Sequence, residues 1–119
     1  YTEAIRLMPN VPNGYIARGL CYCGIREYDK AVNDLTHANQ LCAGKLPEPY
    51  GALGLVYEAQ SNLASAIEYY TKAIELDPKS PKGYIERARV YKAKGEQEKA
   101  AKDDEMAKRW SLLDAGPKR

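Results

Sequence analysis

Residues 47–80 read PEPYGALGLVYEAQSNLASAIEYYTKAIELDPKS. Tyr50, Leu53, Gly54 and Tyr57 are spaced by three and four, the spacing of one helix face. Ala66, Tyr70, Ala73 and Ile74 repeat that spacing farther on. Pro47 suits the first turn of a helix, where its missing N–H has no intrahelical partner to lose. Ser61-Asn62 breaks the pattern and offers a side-chain oxygen to cap the next helix. Pro78 closes it. The stretch therefore predicts two helices, near 48–60 and 64–77, joined by a tight turn. The small residues let the helices approach closely and the tyrosines fill the remaining space. No alternation of strand type competes.

The same unit occurs three times. Tyrosine pairs seven apart stand at Tyr15/Tyr22, Tyr50/Tyr57 and Tyr84/Tyr91, offset by 35 and then 34 residues. Each is followed at matching distances by alanines: Ala31, Ala66 and Ala100, then Ala38, Ala73 and Ala107. Further helices are predicted at 12–24, 28–43, 81–94 and 97–113, with Pro12 and Pro81 at two starts and Gly95 between the last two. A fixed period of this length means one supersecondary unit copied and stacked, an architecture that makes surfaces far more often than active sites.

The pattern resembles the tetratricopeptide repeat, a helix–turn–helix of 34 residues. With repeats starting at Pro12, Pro47 and Pro81, the small residue of helix A is Gly19, Gly54 and Ala88, and the large apolar residue of helix B is Leu35, Tyr70 and Asp104. The proline that closes the motif is kept only as Pro78, with Ala43 and Leu112 at its other two places. A usually aliphatic position is Leu53 in the second repeat but Arg18 and Arg87 in the others, where a buried stem and a wet head are expected. Asp104 suggests a wetter last helix. The resemblance implies an all-α, right-handed superhelical solenoid of antiparallel helix pairs. Residues 1–9, YTEAIRLMP, overlay on 70–78, YTKAIELDP. Residues 1–11 are therefore expected to be the second-helix remnant of a preceding repeat, followed by repeats at 12–46, 47–80 and 81–113 and a tail at 114–119.

The 119 residues carry a net charge of +2, unevenly spread. Residues 46–80 hold two Lys/Arg and five Asp/Glu, whereas residues 81–119 hold eleven and seven. Acids interleave with bases throughout, so nucleic acid is not expected as a partner. No apolar run approaches the length of a spanning helix, and no signal peptide is evident, so membrane insertion is not expected. Three cysteines without a disulfide framework suggest a reducing, cytoplasmic setting. Cys21 is expected to be a small buried hydrophobe, and Cys23 a thiol facing the concave side.

No catalytic residues, cofactor or metal site are expected. The single histidine, His37, is five residues from Cys42, about 140° around a helix. The run Asp103-Asp104-Glu105 reads as a solvated face. Ten tyrosines and no phenylalanine predict rings with wet or hydrogen-bonded tips.

The family turns helix A toward its concave groove. Carried over, the resemblance places Asn13, Ile16, Ala17, Leu20, Cys23 and Gly24 there from the first repeat. Glu48, Gly51, Ala52, Leu55, Glu58 and Ala59 come from the second, and Lys82, Ile85, Glu86, Arg89, Lys92 and Ala93 from the third. Ile16, Leu20 and Leu55 make one end apolar; Lys82, Arg89 and Lys92 make the other cationic. A peptide or protein partner with apolar and acidic character is expected. One subset of the family clamps the C-terminal carboxylate of heat-shock chaperones. Its clamp positions fall on Ile16, Leu20, Ala52, Lys82 and Glu86, of which only Lys82 agrees, so that ligand is disfavoured. The first expectation is a non-catalytic interaction scaffold. The alternative is a self-assembling unit stacked head to tail, through Ala4, Ile5 and Leu7 at one end and Trp110 and Leu112–Leu113 at the other.

Overall fold

The computed structural model describes Arg6 and residues 12–115, with side chains through Leu112. Of the half-repeat expected at residues 1–11 only Arg6 is described, so Ala4, Ile5 and Leu7 lie outside the described residues. So do the tail from Gly116 onward and the Leu113 side chain. Six helices follow one another over residues 12–115: α1 (Pro12–Gly24), α2 (Tyr28–Leu41), α3 (Pro47–Ala59), α4 (Leu63–Leu76), α5 (Pro81–Lys94) and α6 (Gln97–Ala115). They form an all-α solenoid. Each helix packs on its neighbours in the chain, and α1 also touches α3.

The breaks follow from local chemistry. Pro47 and Pro81 open α3 and α5. Asn62 caps α4, its Oδ1 accepting from the Ser65 N–H at 3.3 Å. The turns between the paired helices each contain one residue with positive φ, at Arg26, Ser61 and Gly95, the same place in every repeat. Helix α2 stops two residues short of the expected end. Ala43 and Gly44 both turn to positive φ, and the Gly44 N–H donates to the Asn39 carbonyl at 3.0 Å, which closes the helix.

Glycine and a large residue face each other across the helix pairs. A Cβ on Gly19 would stand 2.8 Å from Leu35 Cγ, and one on Gly54 would stand 2.7 Å from the Tyr70 ring. In the third repeat Ala88 takes the glycine's place, opposite the exposed Asp104. The buried clusters then bridge one repeat to the next. Ala31 and Leu35 of α2 pack with Ala52, Leu53 and Val56 of α3. Ala66 and Tyr70 of α4 pack with Val90 of α5, and Ile74 of α4 with Tyr84 of α5 and Ala107 of α6. Buried tyrosine hydroxyls are satisfied: Tyr70 donates to Glu58 at 2.9 Å and Tyr84 to the Pro78 carbonyl at 2.8 Å.

The arginine heads are less wet than expected. Arg18 makes two hydrogen bonds to Asp34 at 2.8 and 2.7 Å, and Arg87 makes two to Asp103 at 2.7 Å. Both aspartates are buried, so Asp103 is not part of a solvated face. Each guanidinium also lies near tyrosine: Arg18 is 5.8 Å from the Tyr15 and Tyr22 rings, and Arg87 is 5.8 Å from Tyr91. In the second repeat Leu53 and Tyr69 replace the ion pair. The Tyr69 ring stacks between Tyr50 and Tyr57, with centroids 6.3 and 5.4 Å away. The place beside the helix A tyrosines is thus filled either by an Arg–Asp pair or by a third ring. Two further expectations change. Cys21 is exposed rather than buried. Cys23 is half-buried against the first core cluster, and burial pushes its thiol up, away from the reactive thiolate.

The Gly54–Tyr70 contact makes a prediction against helix propensity. Alanine is the better helix former, yet Gly54→Ala is expected to destabilise the chain by about 1–3 kcal/mol because the Tyr70 ring must move. Urea denaturation followed by circular dichroism measures this; unchanged or raised stability would show that the contact is loose.

Candidate functional groove

Helices α1, α3 and α5 line one side of the stack, and between them lies a cavity of about 210 Å³. Ile16 and Leu20 reach it from α1, Pro47, Glu48, Gly51, Ala52 and Leu55 from α3, and Lys82, Gly83 and Glu86 from α5. Ala73 of α4, with Asp77 and Ser80 in the link that follows it, closes the floor. Glycine shapes the lining at two points. The nearest neighbour of a Cβ on Gly51 would be Glu86 Oε1 at 4.0 Å, and one on Gly83 would meet Ile74 at 2.7 Å, so α4 and α5 touch there.

Eight of the expected groove residues therefore converge on one cavity: Ile16, Leu20, Glu48, Gly51, Ala52, Leu55, Lys82 and Glu86. The others do not line it. Asn13 is exposed and Ala17 half-buried on α1, Cys23 packs into the core, and Ile85 is 51% exposed along α5. Glu58, Arg89 and Lys92 are engaged elsewhere. Arg89 grips Glu58 with two hydrogen bonds of 2.7 Å, tying the third repeat to the second. Lys92 pairs with Asp104 of α6 at 3.0 Å. Two of the three cations expected at that end are thus matched within the chain, and Lys82 alone borders the cavity. The sequence reading missed Pro47, Ala73, Asp77, Ser80 and Gly83. The family's groove positions on helix A do not include them, and the floor comes from the end of helix B and the link that follows. The run Leu76-Asp77-Pro78, a helix end facing the next repeat, was the available signal.

Charge inside the groove is uneven. Three carboxylates, from Glu48, Asp77 and Glu86, share the cavity with one ammonium. Glu58 and Glu86 differ sharply. Burial works against the Glu58 anion, but hydrogen bonds from Arg89 and Tyr70 outweigh it and hold the carboxyl below the usual range. Burial pushes the Glu86 carboxyl up; the charges of Lys82 and Arg89 offset only part of this, and Glu58 adds to it. Arg89 is raised, first by its hydrogen bond to Glu58. His37 is exposed and sets its ring edge-on to Tyr15, with centroids 4.4 Å apart. Among the described residues no three His, Cys, Asp or Glu side chains gather as a metal site, and no helix is long and apolar enough to cross a membrane.

Helix pairs stacked in register around such a groove define a helical-repeat class, and comparison with known proteins names it. Two tetratricopeptide-repeat models match, over residues 47–80 and residues 69–102. The chain belongs to the tetratricopeptide-repeat family. It is 31% identical over 78 residues to small glutamine-rich tetratricopeptide repeat-containing protein 2 of Mycosarcoma maydis, across 66% of this chain and 22% of that protein. It thus spans about a fifth of that relative's length. Among solved structures, a crystal structure of MamA superposes with a TM-score of 0.82 at 27% identity, across 93% of this chain and 64% of that one. The second repeat domain of Spaghetti (RPAP3), bound to an HSP90 peptide SRMEEVD, superposes with a TM-score of 0.73 at 20% identity, across 81% of this chain and 88% of that one.

The two glutamates predict opposite pH behaviour. Glu58 has a lowered folded-state pKa, so its contribution is present above the ordinary carboxylate pKa and is lost as pH falls through the folded value. Glu86 has a raised one, so its ionised form penalises the fold at neutral pH and the penalty fades on acidification. Glu58→Gln should lower the melting temperature at pH 7, and Glu86→Gln should raise it, with both differences shrinking toward pH 3. Thermal melts across that range test this; a Glu86→Gln variant less stable at pH 7 would contradict it.

Proposed function

We propose that the concave groove is a non-catalytic binding site for an extended segment of a partner protein, with an apolar side chain seated in the cavity. The observation that carries the reading is convergence. Ile16, Leu20, Ala52 and Leu55 come from two repeats to one apolar recess, and Leu20 is 37% exposed there. Burying such a side chain supplies hydrophobic free energy of roughly 1.5–3 kcal/mol, and the polar rim fixes its direction. The fold neighbour bound to an HSP90 peptide supports a peptide-holding groove in this architecture. The acidic ligand character expected from sequence now rests on Lys82, because Arg89 and Lys92 have partners within the chain. The head-to-tail alternative gains less support. Trp110 packs in cis with Ile74, Tyr84 and Ala107, which leaves Leu112, 66% exposed, as the apolar residue open at that end among the described side chains.

Amide NMR spectra of the chain, titrated with pooled random peptides that share one leucine, test the reading. Shifts should gather on Ile16, Leu20, Gly51, Leu55 and Gly83, and Leu55→Asn should weaken binding by about tenfold, the equivalent of 1.4 kcal/mol. Shifts confined to α2, α4 and α6 would contradict it.

A further inference from the structure

The groove's charges point to the sign of its ligand. Inside the cavity Glu48, Asp77 and Glu86 face a single cation, Lys82. Glu48 and Asp77 are exposed, at the rim. Glu86 is half-buried at the wall, and its carboxylate has no hydrogen bond or ion pair among those found for the described residues. The charges that act on it are Lys82 and Arg89 on its own helix and Glu58 on α3. Arg89 is held by both oxygens of Glu58, so it has little left to give Glu86. A carboxylate partly out of water and without a donor is costly to the free protein. A ligand cation placed there would supply the missing donor and match the surplus negative charge.

We infer that the groove selects a partner segment in which the apolar side chain is flanked by lysine or arginine, so that a basic group meets Glu86 and the rim carboxylates Glu48 and Asp77. This rests on the groove reading above and adds its specificity. An acidic segment would bring a fourth negative group to the cavity, and one ammonium cannot match it. The preference is electrostatic complementarity, which sets specificity and association rate more than total affinity, so it should weaken as salt rises. The flanking cation can be lysine or arginine. Arginine's planar fork suits a paired contact with one carboxylate, lysine a single contact.

The test uses the intact 119-residue chain and three pools of short capped peptides. All share a central leucine; they carry Lys, Gln or Glu on both sides of it, with the outer positions randomised. Fluorescence anisotropy should show the Lys pool binding at least about tenfold more tightly than the Glu pool, a 1.4 kcal/mol difference. Glu48→Gln combined with Glu86→Gln should bring the pools within about threefold of each other. Glu86 donates to and accepts from no described residue, so the isosteric change should leave the circular dichroism spectrum unaltered. If the Glu or Gln pool binds as tightly as the Lys pool and Leu55→Asn weakens all three, the charge inference fails and the groove reading stands. If the Lys pool binds alone but ignores both Leu55→Asn and the glutamine changes, the attraction is general surface charge and the inference fails. If no pool binds, both readings fail.

Discussion

The close approach of paired helices at Gly19 and Gly54 is the constraint on which the rest depends. Removing one side chain from helix A admits Leu35 or Tyr70 of helix B, and a Cβ at either glycine would collide with that partner. Once those faces are locked, a second face of each helix A is left for contact between repeats and for the concave side. Stacking the units turns these faces to one side, where Ile16, Leu20, Ala52 and Leu55 meet around a cavity. The groove is thus what remains of helix A after its other face has been used to build the pair.

Charge follows the same division. The chain uses its arginines to build. Arg18 and Arg87 hold Asp34 and Asp103 within repeats, and Arg89 holds Glu58 between them. Removing one partner from such a buried pair leaves an unpaired charge and is strongly destabilising, so these cations are tied to the fold. The pair between Arg89 and Glu58 is half exposed and individually modest, yet it takes from the groove the cation that would have made it basic. What is left around the cavity is an excess of carboxylate.

Much of the fold was legible in the sequence because its determinants are local. Prolines at helix starts, a small residue opposite a large one, and a turn after each tyrosine pair act within a few residues of their effect. The Arg–Asp pairs were harder. Arg18 and Asp34 are sixteen residues apart, as are Arg87 and Asp103, on facing helices. In isolation Asp103 belongs to an acidic run of the kind that usually faces water. Only the swap of Arg and Asp for Leu53 and Tyr69 in the middle repeat betrays the coupling. The apolar half of the groove was legible too, through the family's helix A positions. Its sign was not, because the partners of Arg89 and Lys92 come from α3 and α6, and the floor from Asp77 and Ser80.

A groove set up by repeat stacking and left with an unmatched carboxylate has one direct signature, the ionisation of Glu86. Carbon-13 NMR of the glutamate carboxyls reports it residue by residue, with Lys82, Arg89, Glu58, Glu48 and Asp77 as the surrounding charged groups. The account predicts that Glu86 titrates above the usual carboxylate range in the free chain and shifts down when the lysine-flanked peptide is bound. A Glu86 that titrates in the ordinary range in both states would contradict it.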